Sequence, residues 1–336
     1  MNKNIKEVYK DIYRVIIPLR GNPLKSINIF VIKSGGENLI IDTGFNTEEV
    51  IEYTENYIRD LDIDLSKTTL YITHLHSDHT GLANFFSKRG VKICMPERDA
   101  KLMDALSKQR SGYWDMIESF AHIEGLGVDN LSINDHPGHK YKTGGAFKYE
   151  PKFPGDKMKI GDFNFEVISL AGHTPGMCGL YDKEKSILFC GDHILFKITS
   201  NIQFWGFDFG DSLGKYLQNV EIVKNLNVKH IFGSHRDLIT DTNARIEEIY
   251  AHHEKRLAEA YKALEDGPKT VRDVTVRMKW DITAKDWSEF PDSQKWFAVG
   301  EAHSHLEHLR YLGKVDFYDK NGDGILYYYI KDKNFA

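Results

Sequence analysis

The sequence predicts an α/β protein built from layers of sheets and helices, followed by a smaller C-terminal winged-helix-like α+β domain. Short apolar runs alternate with helical patterns over the first three-quarters of the chain, which is typical of the α/β class. The last part shows a different order, with two helical patterns and then a hairpin. A length of 336 residues agrees with two domains, since domains usually contain roughly 100–200 residues.

The first third of the chain predicts a sheet with helices between its later strands. Apolar runs bounded by Gly, Pro, Asn and Ser predict strands at 13–19, 27–32 and 39–41. A first helix is predicted at 46–59. Two further strands, at 70–72 and 91–95, enclose a helical pattern that starts near Leu82.

The regular pattern fades between residues 100 and 155, apart from a helix predicted at 100–109. A long irregular insertion inside a compact domain usually has a function. We interpret it as a lid over a pocket, with a plain surface excursion as the alternative. His136 and His139 are candidates for substrate contact, but we favour surface positions for both. Core packing is favoured over pocket lining for the aromatic residues Tyr113, Trp114, Phe204, Trp205 and Phe207.

The pattern resumes with strands predicted at 158–160, 163–170, 186–190 and 230–232, and with a helix at 211–226. A long helix at 243–265 ends at Gly267 and Pro268, a common helix stop. We place the domain boundary within or just after this helix, with a larger domain at 1–250 and a smaller C-terminal domain at 251–336. The latter is predicted to contain helices at 271–278 and 295–312 and a hairpin that turns at 319–324.

Composition limits the function classes. A hydrophobic content of 41% with 28% charged residues is typical of a soluble protein, and the net charge of −5 disfavours general binding to nucleic acids or anionic membranes. The N-terminus shows no apolar signal region, and no apolar run reaches membrane-span length. Three cysteines without CxxC spacing predict reduced, buried thiols and a cytoplasmic location. Residues 251–336 carry 14 basic and 15 acidic side chains, so duplex DNA is not an expected partner.

The most informative stretch is the HxHxDH run, with His74, His76, Asp78 and His79 directly after the strand at 70–72. Chance pairs are expected among 15 histidines, but not this run. Alternate side chains of an extended segment share a face, so we expect His74, His76 and Asp78 to point the same way. His79 follows where the chain turns, so it approaches from another direction. Imidazoles and a carboxylate at this density predict a divalent metal site.

Three more potential ligands share one feature, a position just past a predicted strand. They are His173, Asp192 and His235. Ligands commonly bind beyond strand ends in α/β proteins, so four such clusters in one chain reinforce one another. We expect His193, next to Asp192, to pack in the interior rather than to line a pocket.

Taken together, these motifs resemble the metallo-β-lactamase superfamily, whose fold is a four-layer αββα sandwich. The resemblance rests on the GENLIIDTG segment at 36–44, the HxHxDHxG run, GHTPG at 172–176, Gly-Asp at 191–192 and Gly-Ser-His at 233–235. It implies that His74, His76 and His173 bind one metal ion, that Asp78, His79 and His235 bind another, and that Asp192 bridges the two. Asp42 would orient a ligand histidine from behind. The tail resembles a subgroup of lactamase-β-like proteins with a C-terminal winged-helix-like domain.

The resemblance implies a dinuclear zinc hydrolase. A metal ion lowers the pKa of bound water from about 15.7 to about 7, so a bridging hydroxide could attack an ester, thioester, lactone or phosphodiester. Asp78 would also orient this nucleophile. Di-iron relatives carry a carboxylate at the position of His76, so we expect two zinc ions, with iron and manganese as alternatives. The familiar lactamases lack the carboxylate of Asp192, which argues against antibiotic cleavage.

Several alternatives stay open at the level of sequence. They are a glyoxalase II-like thioesterase, a single-strand endoribonuclease, an iron-dependent thiol dioxygenase and a non-catalytic metal-binding regulator. We expect a small-molecule or single-stranded nucleic-acid substrate and no membrane partner, with a homodimer as one option for the oligomeric state. No motif identifies the substrate.

Overall fold

Three β-sheets organise the described part of the chain. The computed structural model describes residues 3–107 and 112–331, and the side chains of residues 104–107, 112, 113, 135 and 137 lie outside this description. The first sheet has its strands in chain order: β1 Ile5–Tyr9, β2 Ile12–Pro18, β3 Ser26–Ser34, β4 Glu37–Ile41, β5 Thr68–Tyr71, β6 Lys92–Pro96 and β7 Glu150–Lys152.

The second sheet contains β8 Lys157–Ile160, β9 Phe163–Ser169, β10 Cys178–Asp182, β11 Ile187–Gly191 and β12 His230–Gly233, in the spatial order β12-β11-β10-β9-β8. The third contains β13 Lys269–Thr270, β14 Val315–Asp319 and β15 Leu326–Ile330, in the order β13-β15-β14. The helices are α1 Glu48–Asp60, α2 Ser77–Thr80, α3 Ala83–Ser87, α4 Glu97–Ser107, α5 Gly112–Ile123, α6 Pro137–Lys140, α7 Ser212–Leu226, α8 Thr242–Ala263, α9 Val271–Arg277 and α10 Asp292–Tyr311.

Sheets one and two stack face to face with helices on both outer sides. In β3, Phe30 and Ile32 pack between the sheets, whereas Ile29 and Val31 face the layer of α1 and α3, as the two-residue period of a strand requires. On the far side, the second sheet packs against α7 and α8. The predicted four-layer αββα sandwich is therefore confirmed.

Parallel pairing brings several strand ends to one edge. Strands β4 to β7 pair in parallel, as do β11 and β12. Their carboxyl ends point the same way, so the segments that follow them meet above one edge of the sandwich.

The helix predicted at 100–109 corresponds to α4, but the prediction that the rest of the insertion at 100–155 is irregular was wrong. This part of the chain forms most of α4, all of α5 and α6, two short 3-10 helices and β7. Helix α5 was not predicted because Gly, Pro and His residues in the surrounding stretches interrupt the apolar pattern. In the structure, Ile117 and Phe120 of this helix are partly buried. Strands β1, β7, β10 and β13 were also not predicted.

The C-terminal part combines helices with the third sheet. Helix α9 and the hairpin of β14 and β15 occur where predicted, and α10 starts at Asp292, three residues before the predicted helix. Helix α8 is shared, because Ile246 and Ile249 pack below the second sheet while Ala260 and Ala263 pack with α9 and α10. The domain boundary near residue 250 and the winged-helix character stay predictions.

Two further predictions, on membrane-spanning helices and on the cysteines, can be compared with the structure. Within residues 3–107 and 112–331, no helix combines the length and apolarity needed to cross a membrane. Cys94, Cys178 and Cys190 are unpaired and buried, in agreement with the sequence.

Candidate metal centre

The seven predicted ligand residues meet above the carboxyl edge of the sandwich. His74 and His76 follow β5, and Asp192 and His235 follow β11 and β12. His173 comes from the loop between β9 and β10. All of these side chains are buried except that of His76, which is half-buried.

One group of potential ligands, called here the first ligand group, consists of His74, His76 and His173. Nε2 of His74 lies 3.1 Å from Nδ1 of His76. One ring nitrogen from each residue lies within 4.8 Å of the others, which is close enough to hold one metal ion.

The second ligand group consists of Asp78, His79 and His235. Oδ2 of Asp78 lies 3.3 Å from Nε2 of His235 and 3.7 Å from Nε2 of His79. These atoms also fall within 4.8 Å of one another.

Asp192 lies between the two groups and presents a different oxygen to each. Its Oδ1 is 3.5 Å from Nε2 of His79 and 3.4 Å from Nε2 of His235. Its Oδ2 is 3.7 Å from Nε2 of His173. Gly191 has a φ of 55°, and a Cβ there would lie 2.9 Å from Oγ1 of Thr73, so this approach of β11 requires glycine.

The expectation that His74, His76 and Asp78 share a face was wrong for Asp78. The chain becomes helical at Ser77, where α2 begins. Successive side chains in a helix are rotated by about 100°, so the side chain of Asp78 points in a different direction from those of the two histidines. Asp78 and His79 therefore lie together in the second ligand group.

Buried polar atoms without partners show that a cation fits this site. Nε2 of His79, His173 and His235 and Oδ1 of Asp192 make no hydrogen bond with the described residues. Native proteins rarely leave buried polar atoms unsatisfied. Imidazole nitrogen and carboxylate oxygen suit zinc, iron and related transition metals.

The two groups differ in charge. Burial, followed by repulsion from neighbouring histidines, lowers the pKa of His74 and lowers that of His76 to about 3, so both rings are neutral and offer lone pairs at neutral pH. Burial also opposes a charge on His235, but the carboxylates of Asp192 and Asp78 outweigh it and raise its pKa to about 10. The second group therefore contains carboxylates that require a nearby positive charge, which a metal ion can supply in place of protons.

Asp42 orients the second group from behind, as the resemblance implied. Nδ1–H of His79 donates to its Oδ2 at 2.8 Å, which leaves Nε2 free for a metal ion. The backbone N–H and the hydroxyl of Thr73 and the hydroxyl of Ser234 donate to the same carboxylate. Asp42 thus connects the segments after β4, β5 and β12.

Backbone carbonyls orient two other ligand rings. Nδ1–H of His173 donates to the carbonyl of Asn201 at 2.8 Å, and Nδ1–H of His235 donates to that of Ser26 at 2.7 Å. Both rings therefore present Nε2 to the centre.

Asp99 is a functional candidate that sequence reasoning missed. It is fully buried at the start of α4 and accepts from the backbone N–H of Leu75 at 3.0 Å, the hydroxyl of Thr174 at 2.6 Å and the backbone N–H of Gly176 at 2.6 Å. These bonds join the two loops that carry the first ligand group. A Cβ on Gly176 would lie 2.6 Å from the backbone nitrogen of Asp99, so glycine permits this approach. No motif surrounds Asp99, and its partners are remote in sequence.

We expect Asp99→Asn to reduce the free energy of unfolding by about 1–3 kcal/mol, because either orientation of the amide leaves a backbone N–H facing an N–H donor. Urea denaturation measures this change. Asp64→Asn is the matched control, since Asp64 accepts from the N–H and hydroxyl of Ser66 with its side chain 52% exposed. Equal stability losses in both variants would contradict the role assigned to Asp99.

A cleft of about 550 Å³ opens onto both ligand groups. The loop between β2 and β3, the segment at 114–141 and the start of α10 form its walls. Aromatic and aliphatic residues provide much of the lining, namely Leu24, Phe45, Leu75, Trp114, Ile117, Tyr141, Trp205 and Phe297. The part of the predicted lid at 114–141 therefore does line a pocket.

The weaker sequence candidates divide between cleft and core. His136 was expected at the surface but is half-buried and lines the cleft, where burial lowers its pKa to about 4. Trp114 and Trp205 line the cleft as well, but Trp205 is also buried in the core and Trp114 packs against that core, as expected.

The remaining candidates lie away from the cleft. Phe204 stacks on His303 with ring centroids 3.7 Å apart, and Phe207 packs on Phe317. His193 packs on Tyr216, as expected, and His139 packs on Trp114. The side chain of Tyr113 lies outside the described residues.

Comparisons with known proteins agree with this arrangement. A family model described as the metallo-beta-lactamase superfamily matches residues 22–235. Hydroxyacylglutathione hydrolase GloC of Haemophilus influenzae is 31% identical over 160 residues, which are 47% of this chain and 61% of that protein. The human acyl-coenzyme A thioesterase MBLAC2 is 25% identical over 174 residues, which are 49% of this chain and 57% of that protein. The chain thus spans about three-fifths of the length of these relatives.

A solved structure extends the likeness to the C-terminal part. The beta-lactamase domain protein of Burkholderia ambifaria superposes with a TM-score of 0.80 over 97% of this chain and 94% of its own, at 23% identity. This likeness concerns the fold. Since the family model matches more than half of the chain and includes every residue of both ligand groups, the chain belongs to the metallo-beta-lactamase superfamily.

Proposed function

We propose that this protein is a two-metal hydrolase that cleaves thioesters. The observation that carries the two-metal proposal is the position of Asp192, whose Oδ1 faces the second ligand group and whose Oδ2 faces the first. Asp192 would therefore contribute to both groups if each held a metal ion.

In this proposal, His74, His76 and His173 hold one ion and Asp78, His79 and His235 hold the other, with Asp192 shared. The histidine at position 76 presents Nδ1 beside Nε2 of His74, and this nitrogen-rich first group favours zinc. Two bound zinc ions would supply a hydroxide nucleophile at neutral pH and polarise the carbonyl oxygen of the substrate.

Asp78 is the proposed catalytic residue. It lines the cleft and also belongs to the second ligand group, so its carboxylate can accept a hydrogen bond from the attacking water and orient it. The buried carboxylate of Asp42 keeps the neighbouring His79 ring in place during this step.

Two observations support a thioester as the substrate. The names of both relatives, a hydroxyacylglutathione hydrolase and an acyl-coenzyme A thioesterase, refer to thioesters. The cleft next to the ligand groups has an aromatic and aliphatic wall that suits an apolar acyl group.

The same cleft gives little support to a nucleic acid as the substrate. Its Lys and Arg lining is limited to Arg20 and Lys140 among the described residues, and Arg20 pairs with Glu49 at 2.7 Å. Asp292 adds negative charge at the cleft. Binding of a phosphate backbone normally requires several free cations.

The test is hydrolysis by the zinc-loaded protein of fatty acyl-coenzyme A thioesters, S-lactoylglutathione, a simple oxygen ester and single-stranded RNA. We expect release of free thiol from the thioesters, and loss of this release after chelation. Cleavage of RNA but of no thioester would reject the proposed substrate class. Metal binding without any turnover would instead indicate a regulator.

We expect Phe297→Ala to lower kcat/KM for fatty acyl thioesters by about tenfold, because Phe297 contributes apolar surface to the cleft from α10. Measuring kcat/KM of the wild type and of Phe297→Ala with thioesters of increasing acyl-chain length checks this effect. Tyr311→Ala is the control, an aromatic residue on the same helix that is 55% exposed and outside the cleft. An equal loss in both variants would contradict a contact between Phe297 and the acyl group.

A further inference from the structure

A short segment at residues 201–205, called here the tether segment, lies between the first ligand group and α10. It follows Ser200, whose hydroxyl bonds to the backbone of Asp192, and it carries Asn201 and Trp205 into the cleft wall. The tether segment therefore lies in space between α10 and the candidate metal centre.

On its metal-facing side, the tether segment contacts two first-group ligands. The carbonyl of Asn201 accepts from Nδ1–H of His173, and Nε1–H of Trp205 donates back to the carbonyl of His173 at 3.1 Å. The Trp205 ring also stacks on His76, with centroids 6.2 Å apart. The position of this segment thus sets the position of the His173 ring.

On its other side, the tether segment is bonded to α10 at several points. The backbone N–H of Phe204 donates to the carbonyl of Gly300 at 3.1 Å, and the hydroxyl of Ser304 donates to the carbonyl of Ile202. Nδ2 of Asn201 donates to Oε2 of Glu301 at 2.7 Å and to the carbonyl of Phe297 at 3.3 Å.

Glu301 is an unusual group in this contact, because its side chain is only 12% exposed. Its charged partner is Arg256 of α8, at 3.6 Å, and Arg256 also pairs with Glu259. Burying a carboxylate is costly unless it pairs with a cation and accepts hydrogen bonds, and Glu301 does both. A carboxylate only accepts hydrogen bonds, so Glu301 fixes the Asn201 amide with Nδ2 towards α10.

We propose that Glu301 is a positioning residue of the metal centre, which holds Asn201 and thereby fixes the orientation of His173 in the first ligand group. The C-terminal part of the chain would then set metal affinity as well as line the cleft. This inference rests on the proposed function, because it assumes that the first ligand group binds a metal ion.

The experiment measures Co²⁺ binding to the full-length protein by chelator competition and by the visible absorption of the bound ion. We expect Glu301→Ala and Asn201→Ala to weaken the binding of one Co²⁺ equivalent by about tenfold, the lower end of the usual effect of removing a partner behind a ligand. The absorption spectrum of that ion should change, whereas the other ion should be affected less. Glu301→Gln keeps an acceptor for Asn201 and should restore most of the affinity.

The matched control is Glu307→Ala, which removes another buried carboxylate of α10. Glu307 bonds to Arg310 and Tyr328 and makes no hydrogen bond to the tether segment among the described residues, so its loss should lower stability without changing Co²⁺ affinity. Asn201→Ala keeps the pair of Glu301 and Arg256, so it tests the same contact if Glu301→Ala fails to fold.

The outcomes separate this inference from the proposed function. A wild-type chain that binds two Co²⁺ ions, with unchanged affinity in Glu301→Ala and Asn201→Ala, would overturn the role of Glu301 alone. An equal loss in Glu307→Ala would also overturn it, because the effect would then follow general destabilisation. A wild-type chain that binds fewer than two ions would overturn the two-metal function itself.

Discussion

Asp192→Ala is expected to reduce hydrolysis by more than about 10³-fold. Loss of a single pre-organised catalytic hydrogen-bond donor already costs about 10²–10³-fold, and this change removes a proposed ligand from two ions at once. It also leaves Nε2 of His79 and His235 without the carboxylate that lies 3.4–3.5 Å away. Steady-state kinetics with an acyl thioester, at saturating zinc, measure the effect.

Asp192→Asn provides the graded comparison, because it keeps the size of the side chain and one carbonyl oxygen. That oxygen can face only one of the two groups, so we expect activity between those of wild type and Asp192→Ala. Full activity in either variant would show that Asp192 does not join the two groups.

Asp42→Asn is expected to weaken metal binding by about 10–100-fold and to lower the free energy of unfolding by about 1–3 kcal/mol. Asp42 has a φ of 64°, a conformation that Asn tolerates, so the backbone is not disturbed. The new amide must instead point an N–H group at Thr73 or at His79, both of which donate to the wild-type carboxylate. Chelator competition and urea denaturation measure the two effects.

Asp62→Asn is the control for this prediction. Asp62 also has a positive φ, of 50°, but is exposed. We expect it to leave both quantities near their wild-type values. If Asp42→Asn behaved like Asp62→Asn, the carboxylate of Asp42 would have no part in holding His79.

The candidate ligand residues could be predicted because they lie in short segments that follow strands. His74, Asp192 and His235 follow runs whose apolar character marks buried strands, and parallel strands bring such positions to one edge. The local direction of Asp78 could not be predicted from alternation, because the chain becomes helical at Ser77.

The residues that support the ligands were harder to find. Asp99, Asn201 and Glu301 lie in segments without a motif, and their roles depend on contacts between residues far apart in sequence. Asn201 and Glu301 are 100 residues apart, and Asp99 and Gly176 are 77 apart. Helical periodicity predicts that α10 exists but not that Glu301 bonds to Asn201.

The insertion illustrates the same limit at the level of the fold. Its position over the site and the helix α4 were predicted, whereas α5 was not, because α5 carries an aromatic residue that faces the cleft as well as the core. Trp114 contacts both His136 and His139, and it lines the cleft. Such a residue fits no single burial pattern.

The most direct test of the account is the number of metal ions bound by each chain. The protein is loaded with zinc, desalted and analysed by inductively coupled plasma mass spectrometry against its measured concentration. The position of Asp192 between two complete ligand groups predicts two zinc ions per wild-type chain and fewer in Asp192→Ala. One ion or none in the wild-type protein, under conditions in which it is folded, would contradict the two-metal site.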